Sequence, residues 1–183
     1  MEKKIKGVRV IGIDDAPFDK FKDKEVLVIG VVARNGKDKV IEGILSTKIE
    51  KDGRDANEKI INVIKNSKFV NQIKVIFLHG TTMGGLNLLN LNEIYKSLKI
   101  PVVGVLRRKP NIESVKKALI KAGKLKEANL LECEFEKLGK FYVKMVGIKK
   151  DELIDIFDIG LYTLRLAHLI GSGIMKGESK GRL

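Results

Sequence analysis

The order of strand-like and helix-like segments predicts an α/β fold built on a mixed β-sheet. The first three strand-like segments follow one another closely, which indicates antiparallel neighbours. After Gly53 the apolar residues change to helical spacing, and helices then alternate with strands. That alternation is typical of parallel strands joined by crossover helices.

The N-terminal part of the chain predicts three antiparallel strands. Residues 8–13 (VRVIGI) are apolar and β-branched, and Pro17 prevents pairing beyond that strand. Residues 25–34 form a second strand. The Asn-Gly pair in 35–37 favours a tight hairpin into a third strand over 38–49.

Helix start signals then appear at three places. Asp55, with Glu58 three residues later, has the spacing of a capping box and predicts the first helix. Asn90 and Asn111 precede the apolar stripes of the second and third helices. A last helix is predicted from near Asp151.

Further strands are predicted at 73–78, at VVGVL after Pro101, and as two short strands within 129–147. This order resembles the ribonuclease H-like fold. In that fold the fourth strand lies beside the first and parallel to it. The resemblance implies that Asp14 and His79, at the ends of these strands, are neighbours.

Composition bounds the class of protein. A chain of 183 residues with 44% hydrophobic residues predicts one folded domain over 1–183, with a mobile basic tail near 176–183. No apolar run reaches the roughly 18 residues of a membrane span, and MEKKIKGVRV lacks the apolar core of a signal peptide. We expect a cytoplasmic protein with no membrane partner.

Cys133 is the only cysteine, which excludes a disulfide framework within the chain. We expect Cys133 to act as a small buried apolar residue.

The net charge of +13 points to a polyanionic partner. A basic surface attracts nucleic acid through phosphate neutralisation and counterion release. Abundant Lys and Glu with a single Gln also fit a heat-adapted protein that carries extra surface ions. Charge by itself leaves both interpretations open.

Asp14 and Asp15 directly follow the first strand, where carboxylates can bind Mg²⁺. The alternative interpretation is that these aspartates cap the turn after the strand by hydrogen bonds to its backbone. Asp52 lies at the end of the third strand, where an Asp-Gly turn competes with a role in a site. His79 meets the glycine-rich stretch GTTMGG and is either a ligand or a donor to a backbone carbonyl.

Several basic and acidic residues admit two interpretations. GTTMGG lacks the Gly-Lys-Ser/Thr of a nucleotide-hydrolysing phosphate loop, which excludes that class. Arg107, Arg108 and Lys109 follow a strand, where they either bind phosphates or lie in a solvated loop. The last helix carries three acidic residues on a similar face, for which we favour solvent over a metal site: Asp151, Asp155 and Asp158.

Four stretches together resemble the archaeal endonuclease dU family, a distant relative of endonuclease V. These are VIGIDDAPF, GILSTKIEKDGRDANEKII, the long block from VIFLHGTTMGG to RRKPNIESVKKAL, and LRLAHLIGSGIMKGESKGRL. The resemblance implies metal-dependent cleavage of deoxyuridine-containing DNA with Mg²⁺ or Mn²⁺. It implies Asp14 as the metal ligand on the first strand, Asp52 near the site and Asp15 as part of the same motif. We predict Asp14, Asp52 and His79 as the metal ligands and these three with Asp15 as the catalytic residues. The phosphate contacts would come from Arg107, Arg108, Lys109, Lys176, Lys180 and Arg182.

The chain departs from the family pattern at three places. His79 stands where we expect Asp, Asn90 where we expect Asp, and residues 161–163 where we expect Pro-Glu-Pro. Mg²⁺ prefers carboxylate oxygen, whereas imidazole suits Mn²⁺ or Zn²⁺ better. Either His79 serves a different metal or acts as a base, or the chain binds nucleic acid with weakened cleavage.

Overall fold

A seven-stranded mixed sheet forms the centre of the protein, in a computed structural model that describes residues 7–131 and 134–179. The strand order is β3-β2-β1-β4-β7-β9-β8, and β5 and β6 form a separate hairpin. The strands are β1 (Arg9–Asp15), β2 (Glu25–Arg34), β3 (Val40–Glu50), β4 (Ile73–His79), β5 (Thr82–Met83), β6 (Asn87–Leu88), β7 (Val102–Leu106), β8 (Glu136–Leu138) and β9 (Phe141–Val146). The helices are α1 (Ala56–Lys65), α2 (Leu91–Leu98), α3 (Ile112–Lys121), α4 (Leu125–Leu130) and α5 (Lys150–Lys176).

The strand pairings confirm the predicted mixed sheet. β1, β2 and β3 are antiparallel neighbours, while β4 runs parallel to β1 and β7 runs parallel to β4. β9 and β8 extend the sheet in antiparallel fashion. The α4 helix was not predicted, and residues 129–130, predicted as strand, lie at its end. Six residues are too few to show a helical period, so sequence spacing could not identify it.

Apolar side chains of the central strands alternate between two faces of the sheet. In β4, Ile76 and Leu78 face a core cluster that includes Ile60 of α1 and Ile94 of α2. Phe77, between them, faces a second cluster that includes residues of α5. Helices therefore cover both faces, because successive strand residues point to opposite sides.

The α5 helix lies unusually close to the sheet. A side chain at Gly12 of β1 would collide with Thr163 of α5, and one at Gly160 of α5 would collide with the ring of Phe77. The 27 residues of α5 cross the sheet at this short distance. The approach brings side chains from the second half of α5 to the carboxyl end of β1.

The helix starts confirm two of three predicted caps. The Asn90 side chain accepts a hydrogen bond from the Glu93 backbone N–H (3.1 Å), and Asn111 accepts one from Ser114 (3.0 Å). The capping role of Asp55 was wrong: its carboxylate makes no cap bond. It accepts instead from the Asn87 amide at 2.8 Å, because the β5–β6 hairpin packs beside it.

Some predictions fall outside the described residues. Cys133, Lys180 and Arg182 belong to this group, whereas Lys176 is the last residue of α5 and is exposed. None of the helices in the described ranges is both long and apolar enough to cross a membrane.

Candidate active site

Asp14 and His79 meet at the carboxyl ends of two parallel strands, as predicted. Ile13 of β1 pairs with Leu78 of β4, so the next residue of each strand reaches the same edge of the sheet. His79 Nδ1 lies 3.0 Å from Asp14 Oδ1. Asp14 is buried, with 2% of its surface exposed, whereas the side chain of His79 is partly exposed. The carboxylate thus depends on protein groups for its hydrogen bonds.

His168 of α5 completes this group, and the sequence reasoning missed it. Its Nδ1 lies 3.2 Å from the other carboxylate oxygen, Asp14 Oδ2. Alternation along β1 directs Asp14 toward α5, because Val10 on the same face packs against that helix. The one available signal was that the chain has two histidines, and that the second lies within the apolar stretch LAHLIG of the last helix.

The three side chains shift each other's pKa. Burial raises the pKa of Asp14, but the hydrogen bonds from His168 and His79 outweigh it and leave that pKa below its ordinary value. The hydrogen bond to Asp14 raises the pKa of His79 and, separately, that of His168, against the opposing effect of burial. Because an ionised carboxylate only accepts, both Nδ1 atoms carry a proton. Nε2 of His79 is the ring nitrogen left for a substrate.

Asp15 and Asp52 bond to the β5–β6 hairpin instead. Asp15 Oδ2 accepts from the Gly84 N–H at 2.9 Å, and Asp52 Oδ1 accepts from the Leu86 N–H at 2.8 Å. Burial raises the pKa of Asp15, and the Gly84 hydrogen bond offsets this only in part. The hairpin folds back over the end of β3, so Asp52 lies against the residues that follow β4. Its carboxylate nevertheless bonds to a backbone amide and not to His79.

Lys124 holds the Asp52 turn and the hairpin together. Its buried ammonium donates to the Gly53 carbonyl at 2.6 Å and to the Leu86 carbonyl at 2.9 Å. Burial lowers the pKa of Lys124. Asp52 also adopts a left-handed backbone conformation, with φ of 53°, which Asp tolerates better than most residues. These contacts make the Asp52 region a rigid support beside Asp15.

A basic cleft of about 530 Å³ opens beside Asp14 and His79. Arg107 is one of its lining residues, whereas Arg108 and Lys109 are exposed outside that lining. Asp158 also lines it, and Asp158 and Asp151 are both exposed, as expected for solvent, whereas Asp155 is only partly exposed. The cleft is further lined by Lys39, Val105, Lys140, Phe141, Leu161, Tyr162, Leu164 and Arg165.

The donor atoms at Asp14 do not fit Mg²⁺ as they stand. Both carboxylate oxygens already accept from imidazole nitrogens, and Mg²⁺ requires several hard oxygen ligands. One carboxylate with two imidazoles is a donor set better suited to Mn²⁺ or Zn²⁺. Over residues 7–131 and 134–179, no three His, Cys, Asp or Glu side chains are arranged as a metal site.

Comparison with known proteins decides the family. A sequence model of the endonuclease dU family matches residues 6–175. The chain belongs to the endonuclease dU family. The stretches quoted above for this resemblance fall largely within the matched range.

A UPF0215 protein of Methanothermobacter thermautotrophicus is 35% identical over 189 residues, covering 95% of this chain and 91% of the relative. A crystal structure of a protein of unknown function from Archaeoglobus fulgidus shares 35% identity and superposes with a TM-score of 0.82 over 93% of this chain and 99% of that one. This chain and that crystal structure therefore share an α/β fold. An endonuclease V of Ciona intestinalis, solved with DNA, covers 82% of this chain and 76% of its own at 15% identity and a TM-score of 0.47. That similarity is too low to carry a conclusion.

Proposed function

We propose that this chain is an endonuclease that hydrolyses phosphodiester bonds in deoxyuridine-containing DNA, in DNA repair. The observation that carries the proposal is the buried Asp14 carboxylate, bonded to two histidines beside a basic cleft. Family membership supports the reaction class, and the net charge of +13 supports a polyanionic substrate. The parallel pairing of β1 with β4 supports a ribonuclease H-like assignment of the sheet.

Each residue of the cleft has a chemical role in this proposal. Arg107 lines the cleft together with His79, so its guanidinium binds a phosphate beside the imidazole. Asp14 keeps the proton of His79 on Nδ1, which leaves Nε2 to exchange a proton with the attacking water or the leaving oxygen. His168 is a positioning residue, because it holds the second oxygen of Asp14 and so fixes the carboxylate.

The metal dependence is part of the proposal. A divalent cation, when bound, supplies positive charge to the scissile phosphate. The donor types favour Mn²⁺ over Mg²⁺. Asp14 and His79 would hold the ion only in a state in which the hydrogen bond between them is broken, and in that state His79 is a ligand and not the group that exchanges a proton. Asp52, predicted from the sequence as a ligand, would have to leave the Leu86 N–H to bind the ion, so the proposal does not depend on it.

A cleavage assay tests this function. Purified protein is incubated with a short duplex that contains one deoxyuridine, in EDTA, Mg²⁺ or Mn²⁺, beside the same duplex with thymidine. We expect nicking of the deoxyuridine duplex only, faster with Mn²⁺, and its loss in Asp14→Asn. Absence of nicking in every condition, or equal nicking by Asp14→Asn, contradicts the proposal.

A second candidate function is nucleic-acid binding with little cleavage. It is favoured by the hydrogen bonds that already occupy both Asp14 oxygens, and by His79 in place of the expected Asp. It predicts salt-sensitive binding without nicking. In His79→Asp, a gain of Mg²⁺-dependent cleavage indicates an eroded site, whereas a loss of activity makes His79 a working group.

Arg107 and Arg108 form a matched pair for the binding step, since only the first lines the cleft. Each phosphate contact that is removed lowers the salt dependence of log K by about one unit. We expect that change for Arg107→Gln and not for Arg108→Gln. Equal effects would place the nucleic acid outside the cleft.

A further inference from the structure

The cleft beside Asp14 combines two kinds of wall. Cationic side chains suit a phosphate backbone, but Tyr162 and Phe141 add aromatic surface that phosphate contact does not require. Phe141 is itself supported by an edge contact with Phe157, with ring centroids 5.6 Å apart. A ligand with an anionic end and a flat apolar end matches both walls. A nucleotide is such a ligand.

The ring of Tyr162 presents a face to a cation in the cleft. Lys39 Nζ lies 5.1 Å from the ring centroid and 2.6 Å from the Asp158 carboxylate. A base can stack on this face in place of the Lys39 ammonium, because both interact with the π system. That exchange requires Lys39 to leave the ring, and its ammonium and the Asp158 carboxylate, which pair with each other in the structure, then offer a donor and an acceptor to the edge of a base.

The size of the cleft restricts what can enter it. At about 530 Å³ it falls in the range of small-molecule sites and takes a nucleotide, not a double helix. A base inside a duplex is stacked and paired, so it cannot reach the ring of Tyr162 without leaving the helix. A nucleotide that enters this cleft is therefore unpaired.

We propose that this cleft binds one unpaired nucleotide of the substrate strand, with its base against Tyr162 and its phosphate at Arg107. The inference rests on the proposed function, which supplies a nucleic-acid substrate. It adds that the strand enters the site unpaired at this position. Tyr162 acts in it as a binding residue for a base and takes no part in bond cleavage.

Binding without metal tests the inference. A labelled oligothymidylate and a blunt duplex of equal length are titrated in EDTA by fluorescence anisotropy. We expect the wild-type protein to prefer the single strand, Tyr162→Leu to lose roughly tenfold in single-strand affinity, and its duplex affinity to stay unchanged. Tyr162→Phe keeps the ring and should bind within about twofold of the wild type.

Phe21→Leu is the matched control, because Phe21 is an aromatic residue with 96% exposure that does not line the cleft. Its single-strand affinity should not change. Since the chain has no Trp and three Tyr, intrinsic fluorescence offers a second measurement. Oligothymidylate should quench the emission of the wild-type protein, and Tyr162→Phe should bind with most of that quenching lost.

Two results would overturn the inference: equal or tighter binding of the duplex by the wild-type protein, or an unchanged quench in Tyr162→Phe. The cleavage assay separates this outcome from failure of the proposed function. Nicking of deoxyuridine DNA without single-strand preference leaves the nuclease and removes the nucleotide cleft. Binding of the single strand that depends on Tyr162, without nicking, leaves the nucleotide cleft and removes the nuclease.

Discussion

Asp14 and Asp52 both lie at ends of strands in the same sheet, but their carboxylates bond to different kinds of group. Asp14 bonds to the imidazoles of His79 and His168, which gain and lose protons near neutral pH. Asp52 accepts from the backbone N–H of Leu86, which does not titrate. The first arrangement can change charge and transfer a proton, whereas the second holds a fixed conformation.

The Asp52 region is also braced from outside the turn. Lys124 bonds to carbonyls on both the turn and the hairpin, and the Asp52 backbone N–H donates to the Gly84 carbonyl at 2.8 Å. The Asp14 group has partly exposed histidines and opens to a cleft. One region therefore has the properties of a reactive site, and the other those of its support.

The largest expected effect comes from exchanging the two aspartates for asparagine. Asp14→Asn removes the charge that holds both histidines, and we expect cleavage to fall by about 10²- to 10⁴-fold. Asp52→Asn keeps an oxygen that accepts from Leu86, so its activity should stay within about tenfold. Rates of deoxyuridine-duplex nicking measure both. An equal loss in Asp52→Asn would break the comparison and make Asp52 a participant in the reaction.

Removing the Lys124 ammonium should destabilise the support. Lys124→Met leaves the Gly53 and Leu86 carbonyls without their donor, and we expect a loss of roughly 2–3 kcal/mol in the free energy of unfolding. Lys126→Met is the control, since this lysine is exposed in α4, which Lys124 directly precedes, and its loss should cost less than about 0.5 kcal/mol. Urea denaturation measures both. Similar values for the two variants would show that Lys124 does not brace the turn.

A comparison of two glycines tests how closely the hairpin packs on Asp52. Gly85 and Gly123 both have positive φ, 92° and 72°, so Ala at either position costs about 1–2 kcal/mol in backbone strain. A side chain at Gly85 would also collide with the Asp52 carboxylate, whereas open space surrounds Gly123. Gly85→Ala should therefore be less stable than Gly123→Ala by roughly 1 kcal/mol or more. Thermal unfolding of the two variants provides the comparison, and equal melting temperatures would contradict it.

The smallest expected effect is a pH dependence, because both histidines are partly exposed and solvent screens them. The pKa of Asp14 is lowered by folding. The ionised carboxylate therefore stabilises the folded protein above about pH 3.9, and this stabilisation is lost as the pH falls through the pKa that Asp14 has in the folded state. The pKa values of His79 and His168 are raised by folding. The protonated histidines therefore stabilise the folded protein fully below about pH 6.5, and this stabilisation is lost as the pH rises through the pKa values of the folded state.

The stability difference between wild-type protein and Asp14→Asn should thus be greatest between about pH 3.9 and 6.5. Urea denaturation across pH 3 to 9 measures this difference. NMR titration should place both histidine pKa values above about 6.5 in the wild-type protein and lower in Asp14→Asn. Histidine pKa values that do not respond to the substitution would remove the proposed coupling.

The sequence predicted the parts of the site that depend on local pattern. Apolar strands, the Asn-Gly turn and the caps at Asn90 and Asn111 are encoded within a few residues, so the succession of strands and helices along the chain could be predicted from them. The place of the fourth strand beside the first came from the resemblance to the ribonuclease H-like fold. Parallel pairing of the first and fourth strands then placed Asp14 beside His79. The two Asx caps were found because the cap and its partner are three residues apart.

The remaining contacts join residues far apart in the chain, and no local pattern reports them. His168 reaches Asp14 because Gly12 allows α5 to lie close to β1, and Asp55 bonds to Asn87 because the hairpin folds back on α1. The amino-acid order by itself determined the strands and the mixed character of the sheet, and the resemblance to a known fold added the pairing of Asp14 with His79. Only the tertiary structure decided that His168 contacts Asp14, that the Lys124 and hairpin contacts hold Asp52, and that a cleft opens beside them. Packing across the sheet sets which distant side chains meet.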